Sequence, residues 1–183
     1  MKTINHHLQT LTLIVGCSLP FVATATTPVQ YDDLNKISIT SSMMRFDDYQ
    51  QQQTTRMYPK PQQGMVQHIL TLPALADEPL YMLEVQIGQN KLVDCNKVRL
   101  MGEIQLLTVE SWGHPYYQVD SVMQGPTTKM MCTNAKTAQF VQLNDSIKLN
   151  YDSQLAKVFY LPEGTDLRYR LWKVAQQYRF SGQ

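Results

Sequence analysis

Charge is scarce in this chain of 183 residues. Only 17% are Asp, Glu, Lys or Arg, and sixteen basic against fifteen acidic side chains leave a formal net charge of +1. A nucleic-acid-binding surface needs a surplus of Lys and Arg to neutralise phosphates, so that class is excluded. No net field steers polyanions either. His and Cys are few, four and three, and no group of them falls at the regular spacing of a zinc site. No metal and no cofactor is expected. No Ser sits in a Gly-x-Ser-x-Gly elbow, the turn that exposes a hydrolase nucleophile. Ser111, His114 and Asp120 can be strung into a Ser-His-Asp set, but spacing alone does not specify that triad, and the chain does not read as an enzyme. Core material is not lacking: 43% hydrophobic residues suffice for one folded domain.

The N-terminus carries the compartment signal. Lys2 precedes an apolar stretch over 8–25 that Gln9, Thr10, Thr12 and Ser18 interrupt. It falls short of the roughly 20 mostly apolar residues that span a bilayer. A basic start, an apolar middle and Ala23-Thr24-Ala25 read as a secretory signal peptide over 1–25, cleaved after Ala25. Two alternatives are a buried N-terminal helix and processing at Ile14-Val15-Gly16-Cys17, which resembles a lipoprotein box and would leave a lipidated Cys17. The apolar stretch continues through Leu19, Phe21 and Val22, which favours the later cut. Either cut removes Cys17 from the pool of free thiols. Cys95 and Cys132 remain, and in an oxidising compartment a single disulfide is the default, with two free buried thiols as the alternative.

Residues 26–56 are rich in Gln, Thr, Ser and Asp, end near Gln50-Gln51-Gln52-Gln53 and show no apolar period. This composition predicts a flexible segment in which Met43 and Met44 dock locally without forming a core. From 57 onward, short alternating runs predict strands over 66–72, 81–87, 91–95, 98–108, 116–122, 138–143, 147–151, 157–161 and 167–174. Turns are expected at Gly88-Gln89-Asn90, Asn144-Asp145 and Pro162-Glu163-Gly164. No run of a dozen residues keeps a 3.6-residue period with caps. The pattern predicts an all-β domain over 57–183, a compact antiparallel β-barrel or sandwich with long presented loops and one disulfide.

One loop stands out. Gly125 and Pro126 open a segment that runs through Thr127, Thr128, Lys129, Met130 and Met131 to Cys132. Two adjacent Met residues in a loop carry a hydration cost if exposed. Either they fold back to fill gaps in the core, or the loop is an extended peptide offered to a partner's cleft, a task that suits an unbranched, adaptable side chain.

Ordered matches across about 57–172 resolve that choice. They are Tyr58-Pro59, Gly64-Met65, Ile87-Gly88-Gln89, Val93-Asp94-Cys95-Asn96, Arg99-Leu100, Glu110-Ser111-Trp112-Gly113, Tyr116-Tyr117, Pro126, Met130-Met131 near Cys132, Leu149-Asn150-Tyr151-Asp152-Ser153 and Tyr169-Arg170-Leu171-Trp172-Lys173. With these the chain resembles the ecotin family, periplasmic inhibitors of chymotrypsin-fold serine proteases. The resemblance implies a Cys95–Cys132 disulfide, a homodimer joined through the C-terminal strands, and a reactive loop that binds trypsin-, chymotrypsin- and elastase-type enzymes as a substrate does. Met130 would fill the specificity pocket and Met131 would follow the scissile bond. Asn96, with Arg99, would support the loop from behind. Trp112, Gly113, His114 and Pro115, together with Asn150, Asp152, Gln154 and Leu155, would form a secondary patch that contacts the protease held by the dimer partner.

Some positions depart from the family pattern. The small residue usual between the second Met and the Cys is missing, so counting back from Cys132 puts Lys129 in the pocket. Counting from Pro126 and the Met pair puts Met130 there, and that register is preferred. Asn150 and Gln154 replace basic residues, 26–56 is longer than in the family, and the C-terminus diverges after Trp172. The competing reading is an envelope-anchored β-domain, lipidated at Cys17, that binds a non-protease partner; a membrane enters only in that case.

Overall fold

In the computed structural model, residues 34–143 and 146–182 are described. The two processing sites near Cys17 and Ala25, and the turn expected at Asn144-Asp145, lie outside them. The fold is all-β. Strands run in the order β1 Thr40–Arg45, β2 Met65–Thr71, β3 Tyr81–Val93, β4 Leu100–Met101, β5 Gln105–Thr108, β6 Pro115–Gln118, β7 Met123–Gln124, β8 Thr137–Gln142, β9 Ile147–Asn150, β10 Lys157–Pro162 and β11 Asp166–Lys173.

Five strands form one sheet in the order β1-β2-β10-β6-β5, and a second sheet is built on β3, with β11 along one side and β9 and β8 in tandem along the other. β4 and β7 make a separate short pair. All pairings are antiparallel except β6 with β10.

The central strands β2 and β10 are buried on both faces, and their alternation assigns each face a partner. Leu70, Phe159 and Leu161 point into the core shared with Leu83, Val85 and Ile87 of β3. Ile69, Val158 and Tyr160 point the other way, into a smaller cluster with Met44 and Tyr58, against which Tyr49 and Met57 also pack. On that second face Gln67 Nε2 donates to the Tyr160 hydroxyl at 2.8 Å, and that hydroxyl donates to the Pro59 carbonyl at 2.5 Å, while Gln67 Oε1 has no partner among the described residues. Burial pushes the Tyr160 phenol far above its ordinary pKa.

This second cluster corrects the flexible segment expected over 26–56 for its described part, from residue 34 on. Residues Thr40–Arg45 are an edge strand paired with β2 along its length, from Thr40 opposite Thr71 to Arg45 opposite Val66. Met44 is buried there as part of a core, and Thr55 is buried in a short 3-10 turn, Gln53–Thr55. Met44, with Tyr49 packed beside it, supplies the inner face, and Met43 and Arg45 on either side of it are exposed.

The turn expected at Gly88-Gln89-Asn90 is also corrected. β3 runs straight through it as a single strand of 13 residues. Gly88 is there because a Cβ would lie 2.2 Å from the Val141 carbonyl oxygen and 2.8 Å from the Phe140 ring; the glycine permits close approach, not reversal. The run expected over 98–108 breaks into β4 and β5. The turn at Pro162-Glu163-Gly164 is present, closed by Thr165 N–H donating to the Pro162 carbonyl at 3.0 Å, with Gly164 at φ +79°.

Candidate functional site

β3 ends at Val93 and hands the chain to Asp94, Cys95 and Asn96, which face the loop 125–132. Cys95 and Cys132 are joined in a disulfide, with Cα atoms 5.7 Å apart across a sequence separation of 37. Among the described residues, Asp94, Cys95 and Cys132 are the one grouping with metal-ligand potential. Both sulfurs are spent on each other, so only the carboxylate is left.

Asn96 is the hub of the loop. Its Oδ1 accepts the Met130 N–H at 2.7 Å and the Thr128 hydroxyl at 3.0 Å, and its Nδ2 donates to the Met130 carbonyl at 3.1 Å. The Asn96 side chain is itself braced by Asp94, whose Oδ1 accepts the Asn96 backbone N–H at 2.8 Å and Nδ2 at 3.1 Å. These bonds, the backbone one first, hold the Asp94 carboxyl below its usual pKa. Thr127 adds a hydroxyl bond to the Lys97 carbonyl at 2.8 Å. Arg99 acts on the loop through its backbone: its carbonyl accepts the Gly125 N–H at 2.8 Å. Asp94, Thr127 and Thr128 escaped the reading of the sequence, because a polar residue two or three positions from a candidate hub carries no mark of which way it faces.

The Met pair does not fold back into the core. Met130 is 57% exposed and Met131 97% exposed. The loop is therefore bound along its inner side by hydrogen bonds and a disulfide, while its outer side presents unpaired apolar surface. Such an arrangement offers an extended peptide whose ordering cost has been met before binding.

The second group of residues gathers at one end of the five-stranded sheet. Residues 109–114 close the β5–β6 hairpin, with Gly113 and Ser111 in left-handed conformation (φ +70° and +67°) and Val109 N–H bonded to the His114 carbonyl at 2.9 Å. Trp112 is exposed and stacks on His114, ring centroids 6.2 Å apart. Residues 151–156 link β9 to β10 and carry Asp152, whose Oδ1 accepts the Gln154 N–H at 2.9 Å and whose Oδ2 lies 3.7 Å from Lys157 Nζ. Asn150 closes β9 with its side chain exposed, and Leu155 is half-buried. Because β6 and β10 are parallel neighbours, with Phe159 beside Tyr117, the two loops that precede them are adjacent. The Tyr58 hydroxyl ties them, 3.4 Å from both the Pro115 and Ala156 carbonyls. Burial lifts the Tyr58 pKa to about 12, so it stays a donor at all ordinary pH.

His114 and Asp120 are otherwise engaged. His114 packs between Trp112 and Tyr58, and the Asp120 carboxylate accepts from Gln118 at 2.6 Å and Gln105 at 3.2 Å.

These features define a disulfide-braced β-protein that presents a tethered, exposed loop. Comparisons with known proteins give its family. The family model described as Ecotin matches residues 54–174. An ecotin of Pseudomonas putida (strain W619) is 40% identical over 121 residues, 65% of this chain and 76% of the relative. An ecotin of Pseudomonas fluorescens is 38% identical over 125 residues, 67% of this chain and 79% of the relative. A Methylobacillus flagellatus protein described as ecotin-like is 37% identical over 124 residues, 67% of this chain and 77% of the relative. The chain belongs to the ecotin family, whose members are serine-protease inhibitors and not enzymes.

Proposed function

We propose that this protein is a periplasmic, broad-range inhibitor of chymotrypsin-fold serine proteases, exported by the signal peptide over 1–25, and that it works by offering the loop 125–132 to the active site as a substrate. The observation that carries this reading is the grip of one side chain, Asn96, on both the N–H and the carbonyl of Met130, beside a disulfide, with the Met side chains left outside. A loop ordered in advance binds without the entropic cost of folding onto the enzyme. If the presented bond is cut, the new ends stay held near one another, so rejoining competes with release. The sequence allows two registers for that bond, Met130–Met131 and Lys129–Met130.

A homodimer completes the reading. Among the described residues β11 pairs with β3 alone, and a free strand edge is of the kind that templates pairing with a second chain. Tyr169 and Trp172 on it are exposed. The two protease-facing regions of one protomer lie far apart: β9 ends at Asn150 opposite Met82, while the reactive loop is reached beyond Val93, roughly 36 Å along β3 at the strand rise. That separation supports the reading that the patch around Trp112 and Asn150 meets the enzyme held by the partner, and two such contacts per dimer would raise avidity through effective concentration.

Titration of trypsin, chymotrypsin and elastase with the purified protein tests the proposal. Loss of peptidase activity near stoichiometric addition is expected. Full activity of all three at a micromolar excess of the protein would refute it.

A further inference from the structure

The choice between the two registers has a structural answer, and it names the class of protease best served; it rests on the substrate-like reading above. A residue that enters a serine protease's specificity pocket must turn its carbonyl oxygen into the oxyanion hole. Its N–H must also be free to pair with the enzyme's backbone, as in any added strand. Met130 meets neither requirement. Its N–H, which has a single proton to give, donates to Asn96 Oδ1 at 2.7 Å, and its oxygen accepts from Asn96 Nδ2 at 3.1 Å and so faces the scaffold.

Lys129 meets both. Its side chain is exposed, and no hydrogen bond ties it to another described residue. Its neighbours on both sides are fixed to the same group: Thr128 by its hydroxyl at 3.0 Å, Met130 by its N–H at 2.7 Å. Met131 is also untethered and more exposed. The residue after it, however, is half-buried Cys132, locked to Cys95, whereas the residue after Lys129 is 57% exposed and able to face an enzyme.

We infer that Lys129 fills the specificity pocket and that the presented bond is Lys129–Met130. The partners favoured are then serine proteases with a carboxylate at the pocket floor, those that cut after Lys or Arg. The chemistry closes on itself. The protease serine oxygen attacks the Lys129 carbonyl, forms an ester there and expels the Met130 amine, which takes up a proton through the protease's histidine. That amine remains held by Asn96, returns the proton, attacks the ester and restores both the peptide bond and the free serine. Water reaching the ester first would instead leave a carboxylate on Lys129 and an amine on Met130.

Inhibition constants for trypsin and chymotrypsin, measured on the full-length exported protein and on Lys129→Met, decide the matter, together with mass spectrometry of the reduced protein after brief incubation of the parent with trypsin. The expected result is that the parent favours trypsin, that Lys129→Met weakens trypsin inhibition by at least about 30-fold, the cost of removing one member of a buried charge pair, while strengthening chymotrypsin inhibition, and that new termini appear at Lys129 and Met130. Trypsin inhibition unchanged by Lys129→Met, or a break after Met130 or Met131, overturns the assignment while the inhibitor reading stands. A parent protein that inhibits neither enzyme removes both.

Discussion

At the scale of single residues, the behaviour of the loop reduces to one amide group. Asn96 accepts from Met130 N–H and Thr128 and donates to the Met130 carbonyl, and Asp94 fixes its orientation. Asn96→Ala deletes these bonds and leaves the disulfide in place. With two backbone hydrogen bonds lost at about 1 kcal/mol each, affinity for a sensitive protease falls on the order of 30-fold, and the loop is nicked faster because its ends are no longer held. Asn96→Asp keeps the acceptor but turns a carboxylate oxygen toward the Met130 carbonyl, so it is expected to weaken inhibition as well, by loss of the donor. Inhibition constants and cleavage rates measured side by side check both. An Asn96→Ala protein as tight and as resistant as the parent would move the source of rigidity to the disulfide alone.

At the scale of strands, β2 contains a titratable fault line. His68 is buried on it, opposite Met43 and Phe159, with no partner for Nε2. Burial lowers its pKa from 6.5 to about 4, against the pull of the Asp166 carboxylate. The folded state therefore resists protonation that the unfolded chain accepts. Stability is fully present above about pH 6.5, where the free imidazole is neutral, and is lost as pH falls toward 4; the shift corresponds to on the order of 3 kcal/mol. Thermal unfolding followed from pH 7 to pH 4 should show this decline, and His68→Asn should flatten it. Glu84, on β3, works in a lower window. Hydrogen bonds from Arg170, Ser146 and Trp172 hold its carboxyl at about 2, so its contribution persists until the pH drops from the ordinary carboxylate range toward 2.

Most of the strands are legible in the sequence because a half-buried strand alternates; β8, β9, β10 and β11 fall within a residue or two of where their alternation places them. Three features are not legible, each for a physical reason. β1 has only Met44 buried, beside an exposed Met43, too little for a period to register. Gly88 has the composition of a turn but serves close strand packing. The division of 98–108 depends on a separate pairing, Leu100 with Gln124 and Met101 with Met123, that no local pattern encodes. In the candidate site, the paired Cys, the presented loop and Asn96 were legible from residue type and resemblance. The direction of the Met130 carbonyl, on which the register turns, exists only in three dimensions.

At the scale of the whole molecule, two separate regions are held to one frame: the exposed loop beyond the end of β3 and the Trp112 patch at the starts of β6 and β10. The disulfide closes a sequence separation of 37 around the first, worth about 4 kcal/mol in the loop-entropy description. Reduction is therefore expected to lower the unfolding midpoint and to convert the loop from an inhibitor into an ordinary substrate before the sheets themselves are lost. Circular dichroism run in parallel with inhibition assays separates the two events, and simultaneous loss would mean that the loop has no rigidity apart from the fold.

The central claim is that a protease grips the loop without consuming it. The most direct measurement follows residual protease activity and the intactness of the inhibitor chain together, over hours, in an equimolar mixture with trypsin. Activity that stays suppressed while the chain remains intact, or reaches a stable mixture of intact and nicked forms, is the predicted result. Activity that recovers as the chain is digested, at the pace of an unfolded polypeptide, would contradict it.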